Sequence, residues 1–319
     1  MDFFSKFHHK PTQQYAPPPG APPPSQQYAP PPGPPPPSSS NALPQWSAAS
    51  EPSHQWGLLA EASEDEFEQA ENFCARYALD TPRLLSSEMI DQISIKGVSC
   101  WTLDPPSLQR FSGSIQPRFG PTVRVITTAT CQDTSIMSNL PIIGGLYSVP
   151  HDQVGVYYEI KINYMNGLIA IGSACRPYPE WRLPGWNRLS AGLHLDDMRR
   201  FFEDPTGGRD YTSAIQSISP GDVVGFGYEF RTGSIFFTYN GERLPIAFSG
   251  VYFPHQNQDV FAAIGVEGRN DFEVNFGTVP FIWQGANEGG WRIDAHFGQL
   301  ESTETPTDAL PSYRETVRR

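Results

Sequence analysis

The chain has 319 residues, 33 prolines and a formal net charge of −12. That acidic balance excludes the basic footprint with which a nucleic-acid binder displaces counterions, and it excludes direct attraction to anionic lipid. The four cysteines, Cys74, Cys100, Cys131 and Cys175, are widely spaced with no C-x-x-C pair, so the pattern excludes the usual close-ligand zinc site and reads as reduced thiols of an intracellular chain. The sequence has no N-x-[ST] acceptor, which agrees with that compartment.

The start, MDFFSKFHHKPTQQ, contains no signal-peptide core, and nowhere is there an apolar run of about eighteen residues, so no membrane span is predicted. Residues 1–45 form a proline-rich segment, predicted to be disordered. QQYAPPPG occurs at Gln13–Gly20 and again at Gln26–Gly33, with further proline runs at Pro22–Pro24 and Pro34–Pro37. Such a stretch cannot bury a core, and its prolines favour polyproline II. It reads either as a solubilising spacer or as a ligand for the aromatic grooves of SH3, WW or profilin-type domains. It contains no P-P-x-Y, because Tyr15 and Tyr28 precede the proline runs.

Residues 46–94 read as a linker and helical flank. SEDEFEQAENFCARYAL, residues 63–79, predicts a helix. Ser63 and Glu66 have capping-box spacing, acidic residues fill the first turn, and Pro82 stops the pattern. Phe67, Ala70, Phe73, Cys74 and Tyr77 recur at helical spacing, a stripe that packs on the domain or docks a partner. A second short helix is predicted over Arg83–Ile95.

From residue 95 to 285 the pattern is that of strands. GVSCWTLDP and TVRVITTATCQ are rich in β-formers. In Gly155–Ile162, Val156, Tyr158, Ile160 and Ile162 face one way, and Tyr157, Glu159 and Lys161 the other. Asn166-Gly167 predicts a turn into LIAIGSA. Further on, Arg231-Thr232-Gly233 separates VVGFGYEF from SIFFTY, and Asn240-Gly241 separates SIFFTY from ERLPIAF. Asn-Gly suits a two-residue hairpin because a type I′ turn needs positive φ at both centres. SIFFTY is apolar on both faces, with Ile235, Phe237 and Tyr239 on one and Phe236 on the other; such a strand is expected to be covered on both sides. Phe272, Val274 and Phe276 alternate with Glu273 and Asn275. The many short strands predict an antiparallel sandwich.

The ordered runs GWNRLSAGLH, GDVVGFGYEFRTGSIFFTYNGERL and VNFG resemble the SPRY domain, a bent β-sandwich used for protein recognition. The form PYPEWRLPGW ahead of them is similar to fungal SPRY adaptors that recruit WW-domain HECT ubiquitin ligases to membrane-protein cargo on endosomes and vacuoles. A more distant likeness is to Ran-binding SPRY scaffolds. The resemblance spans roughly residues 90–290 and implies an all-β fold: a SPRY-like antiparallel β-sandwich with short N-terminal helices and disordered termini. It also implies a cytoplasmic protein, peripheral at endosome or vacuole membranes. Several of the fungal adaptors carry an N-terminal membrane anchor, and this sequence departs from them there. The alternative is a scaffold subunit of a larger complex, although LisH and CTLH helices of the Ran-binding kind do not follow the domain.

No nucleophile elbow, P-loop or H-E-x-x-H motif is present, so the expectation is a protein that is not an enzyme and needs no cofactor or metal. Asp196, Asp197, Glu203 and Asp204 cluster near His194, in the manner of an acid–base site or of solvated loop charges. Trp186 reads as a core aromatic. The proline-rich loop Pro177–Gly185 is placed at the end of the sandwich, where loops carry recognition. Tyr178, Trp181 and Arg182 are its candidate partner-facing rim for a client protein, such as a membrane-protein tail. Residues 286–319 read as a disordered tail. Within it Leu310-Pro311-Ser312-Tyr313 matches L-P-x-Y, a variant of the P-P-x-Y ligand of WW domains. Leu310, Pro311 and Tyr313 are the candidate ligase-recruiting residues, the two rings filling neighbouring grooves of a small aromatic-lined sheet.

Overall fold

The protein is represented by a computed structural model that describes residues 63–107, 109–251 and 258–300. Every described residue lies in the unit Glu51–Arg319. The proline-rich segment 1–45 and the Leu310–Tyr313 motif fall outside the described residues.

Helix α1 spans Glu64–Arg76, starts at Ser63 and shows the full capping box with Glu66. It ends at Tyr77, earlier than the proline signal at Pro82 predicts. Helix α2 spans Ser87–Lys96, is capped by Ser86 and stops at Gly97, whose φ is 57°. Among the described residues eleven strands follow: β1 Gly113–Phe119, β2 Thr122–Thr127, β3 Thr134–Met137, β4 Gly155–Cys175, β5 Ser190–His194, β6 Arg199–Phe202, β7 Arg209–Asp210, β8 Val223–Glu229, β9 Ser234–Tyr239, β10 Glu242–Phe248 and β11 Val260–Asn275. All the named pairings are antiparallel.

Two long strands, β4 and β11, organise the sheets. They pair along the whole of β11, from Val260 opposite Cys175 to Asn275 opposite Glu159, with one irregularity between Asp271 and Phe272. The first half of β4 pairs with β8, and β8 leads through β9 to the edge strand β10. The second half pairs with β5, which leads through β6 to the two-residue β7. At one end of β11 lies β2 with the edge strand β1, and at the other lies β3. The long pair therefore belongs to both layers of a bent sandwich. The core between the layers contains Val156, Tyr158, Ile160, Phe226, Ile235 and Phe237 from one side, and Ile136, Ile169, Ile171, Leu193 and Ile264 from the other.

The Asn240-Gly241 turn is present: φ is 48° at Asn240 and 87° at Gly241, and Tyr239 pairs with Glu242 across it. Asn166-Gly167, in contrast, makes no turn. Both residues lie inside β4, opposite Arg269 and Gly268 of β11. A Cβ at Gly167 would stand 2.1 Å from the Glu267 carbonyl oxygen. Glycine here permits close approach of two backbones at the corner where the long pair leaves one layer for the other. The partner strand lies about a hundred residues downstream, and its pairing overrides the local turn preference.

The boundary at 285 also needs correction. Residues 286–298 are part of the folded unit, with Trp291, Ile293, His296 and Phe297 all buried. Tyr157 donates its backbone N–H to the Trp291 carbonyl (3.1 Å), and Gly155 donates to Gly290 (3.0 Å). The segment covers the outer face of β4 and β9, where Tyr157 and Phe236 cluster with Phe281, Ala286 and Trp291. SIFFTY is thus covered on both faces, as its composition predicts. Glu159, buried on the same face, accepts from the Ile282 N–H through both oxygens (3.1 and 3.2 Å), and burial raises its pKa.

Candidate functional site

The loop after β4 covers the outer face of the second layer. Arg176-Pro177 is a cis peptide. Tyr178 packs against Ala174 and Ala263, while Leu183 and Trp186 pack with Leu168, Ala170 and Phe201. The loop also pairs with the open side of β3: the Ser135 N–H donates to the Glu180 carbonyl (2.8 Å), and Ser135 Oγ donates to the Arg182 carbonyl (2.6 Å). Trp186 is a core residue, as read from the sequence.

The three residues expected on the rim have separate fates. Arg182 is 1% exposed and lies outside the groove described below, whereas Tyr178, 5% exposed, is among the residues that line it. Arg182 lies 4.4 Å from the Trp186 ring centroid and donates from Nε to Asn187 Oδ1 (3.0 Å); its Nη1 has no hydrogen-bond partner, and burial lowers its pKa. Tyr178 Oη donates to the Leu183 carbonyl (2.6 Å), tying the loop to itself. Only Trp181 remains half-open.

Helix α1 packs on the same loop. Its apolar stripe meets the loop: Phe73 stands edge-on to Trp181 at 5.6 Å and 83°, and Trp181 Nε1 donates to the Glu66 carbonyl (3.3 Å). Glu66 pairs with Arg110 (2.6 Å), and Asn187 donates to Glu71 (3.1 Å). Arg188 donates to the Cys74 and Tyr77 carbonyls, satisfying acceptors that the end of the helix leaves open.

Between α1, the loop and the segment 104–107 runs a groove of about 480 Å³. Its floor is apolar, made by Phe73, Pro105, Pro106, Met137, Pro177 and Trp181, and its polar lining includes Asp80, Asp104, Arg176 and Glu180. Arg176 Nη2 donates to Asp104 Oδ2 (3.0 Å) and to the Ser138 carbonyl (2.8 Å), and its guanidinium lies 4.3 Å from the Phe261 ring centroid. Glu180 Oε2 accepts from both the N–H (2.9 Å) and the hydroxyl (2.8 Å) of Ser107, which pins the opposite wall. The apolar stripe of α1 signalled that the helix packs on the domain, but the contribution of segment 104–107 was not signalled by the sequence, since no local pattern brings Pro105 to Trp181.

The cluster around His194 is dispersed by the fold. His194 is buried and stacked on Phe201 at 4.0 Å, with Nε2 3.0 Å from the Pro184 carbonyl, and burial holds its pKa down to about 4. Asp197 accepts from the Arg199 N–H, Glu203 from the Leu189 N–H, and Asp204 from the N–H and hydroxyl of Thr206. Asp197 and Asp204 shape their own turns, and Glu203 holds the start of β5. All four cysteines are free thiols. Among the described residues, no group of three or more His, Cys, Asp or Glu side chains is arranged to hold a metal ion, and no helix is long and apolar enough to cross a membrane.

Comparison with known proteins agrees with this architecture. The family model for the SPRY domain matches residues 155–279. The ssh4 protein of Sclerotinia sclerotiorum is 34% identical over 213 residues, covering 65% of this chain and 36% of the relative. That of Neurospora crassa is 34% identical over 210 residues, covering 65% and 37%. A SPRY domain-containing protein of Schizosaccharomyces pombe is 34% identical over 158 residues, covering 47% and 39%. The matched stretch thus spans little more than a third of these curated relatives. The crystal structure of a human SPRY domain is 23% identical and covers 49% of this chain and 91% of that one, with a TM-score of 0.36. The fold assignment rests on the strand pairing above and not on that superposition. Strand order, bent sandwich and matched residues lead to one statement: residues 155–279 match the SPRY domain, and the chain is similar to the fungal ssh4 proteins.

Proposed function

We propose that this protein is a non-enzymatic adaptor for ubiquitin-dependent endosomal or vacuolar sorting. In this reading the groove beside Trp181 holds a client protein, and Leu310-Pro311-Ser312-Tyr313 recruits a WW-domain HECT ubiquitin ligase. The observation that carries the client half is the groove itself: an apolar floor with a half-open tryptophan, walls fixed by hydrogen bonds, and polar groups at the rim. Such a site binds a segment of another chain without offering it chemistry. The ligase half is supported by the tail motif and by the likeness to the fungal relatives. Tethering a ligase near its client makes lysine modification quasi-intramolecular, so a weak motif suffices and permits release.

The test separates the halves. A tail peptide spanning residues 301–319 is titrated against the WW domains of a HECT ligase, wild type beside Tyr313→Ala. Saturable binding below about 1 mM, lost in the variant, is expected; equal binding, or none, refutes recruitment through this motif. In affinity purification from cells, Trp181→Ala should lose clients while keeping the ligase, and Tyr313→Ala should do the reverse.

A further inference from the structure

The groove has an electrostatic sign that follows from its lining. Three carboxylates, Asp80, Asp104 and Glu180, face one guanidinium, that of Arg176. Arg176 is already committed to Asp104 and to the Ser138 carbonyl, and it lies against Phe261. Asp104 keeps a side chain 47% exposed beside that pair. Asp80 is exposed, and its carboxylate enters no ion pair among the described residues. An anionic ligand would therefore meet uncompensated like charge, while a cationic one would find two carboxylates at the edge of an aromatic and proline floor. The stem of a lysine or arginine side chain can lie along such a floor with its head at the rim, and a cation near the Trp181 face gains further attraction. The chain's net charge of −12 draws the same partner from a distance.

We propose that this groove takes a peptide segment presenting a lysine or arginine next to an aromatic or aliphatic residue, the apolar residue resting on Trp181 and Pro105 and the cation meeting Asp80 and Asp104. The proposal rests on the reading of the groove as the client site, and it adds the chemistry of what the groove selects.

The probe is an arrayed library of capped hexapeptides in which one apolar residue is paired, at each spacing, with Arg, Lys, Gln or Glu. It is read with the full-length protein and with Asp80→Asn, Asp104→Asn, Trp181→Ala and, as a remote control, Glu242→Gln. The wild type should select the Arg and Lys peptides and lose them as salt is raised from about 50 to 300 mM, where screening shortens the Debye length. Asp80→Asn, which disturbs no wall contact, should weaken them about three- to fivefold, the range of a partly exposed ion pair. Glu242→Gln should change nothing. Equal binding of the Gln or Glu peptides, or indifference to Asp80→Asn, overturns the charge selection even where Trp181→Ala abolishes binding, and leaves the groove standing as the client site. Binding that is unchanged in Trp181→Ala, or no binding of any peptide, overturns the groove reading and the proposal with it.

Discussion

Trp291→Ala tests whether the segment after residue 285 belongs to the folded core. The Trp291 side chain is 6% exposed and meets Phe236 edge-on at 5.4 Å and Trp283 at 5.2 Å. A buried tryptophan removes about 200 Å² from water, which at about 25 cal/mol per Å² corresponds to about 5 kcal/mol of transfer energy. The cavity left behind relaxes in part, and tryptophan-to-alanine changes in cores cost about 3–5 kcal/mol. We take about 4 kcal/mol. With a denaturant slope of about 3 kcal/mol per M for a domain of this size, the urea midpoint should fall by about 1.3 M. Far-UV circular dichroism is the appropriate probe, since the substitution alters the fluorescence signal. Ile282→Ala is the control: Ile282, just before the segment, is 50% exposed, so its midpoint should move by no more than about 0.5 kcal/mol implies. If Trp291→Ala behaves like Ile282→Ala, the segment does not cover β4 and β9, and the domain ends at residue 285 after all.

Gly167→Ala should destabilise by about 2 kcal/mol, as overpacking does, because the new Cβ meets a strand backbone at 2.1 Å; a thermal melt equal to wild type would show that the corner is more open than described. Two buried histidines should make stability sensitive to pH between about 6.5 and 4. His194 and His296 are buried neutral, with pKa values held down to about 4 chiefly by desolvation. The unfolded chain therefore takes up these protons first, at a cost of up to about 3 kcal/mol for each histidine as pH falls. Asp133, pushed up to about 7 by burial and by Glu267 and Glu66, and Asp196, pushed up to about 6 by burial and by Asp197, work in the opposite sense. The test is therefore the difference between proteins: as pH is lowered, the melting temperature of wild type should fall relative to that of His296→Gln, and a difference that does not change with pH refutes the assignment.

What could be read from the sequence was what is decided locally. The Asn240-Gly241 hairpin needs only its own two φ angles, and the capping box at Ser63 needs only four residues. The alternation in Gly155–Ile162 fixes which side of the strand meets the core, whatever the partner strand. The misreadings share one cause, contacts made far along the chain. Asn166-Gly167 has the same chemistry as the true turn, yet Gly268 and Arg269 pair with it. Tyr178 and Arg182 sit in a loop composition typical of exposed rims, yet the loop folds onto the strands, where Tyr178 meets Ala174 and Ala263, and α1 from a hundred residues upstream packs on the same loop through Trp181 and Asn187. Residues 286–298 have neither strand nor helix periodicity, because they pack through isolated aromatics and not as a repeating face.

The free margins of the two layers also limit how this protein can be engaged. Pro117 in β1 and Pro245 in β10 fall where the ladder register breaks, between Gln116 and Phe119 and between Arg243 and Ile246. Each removes an amide donor from an outermost strand. On the other layer, β3 already has the loop carbonyl of Glu180 as a neighbour, and β7 is two residues long. Among the described residues, no margin presents the unbroken row of amides and carbonyls that an extended foreign chain needs in order to join as another strand. Backbone-only capture, which is indifferent to sequence and prone to runaway stacking, is thereby disfavoured at every margin. On the proposed reading recognition then falls to side chains in the groove, where a client would be chosen by what it displays and not merely by its being extended.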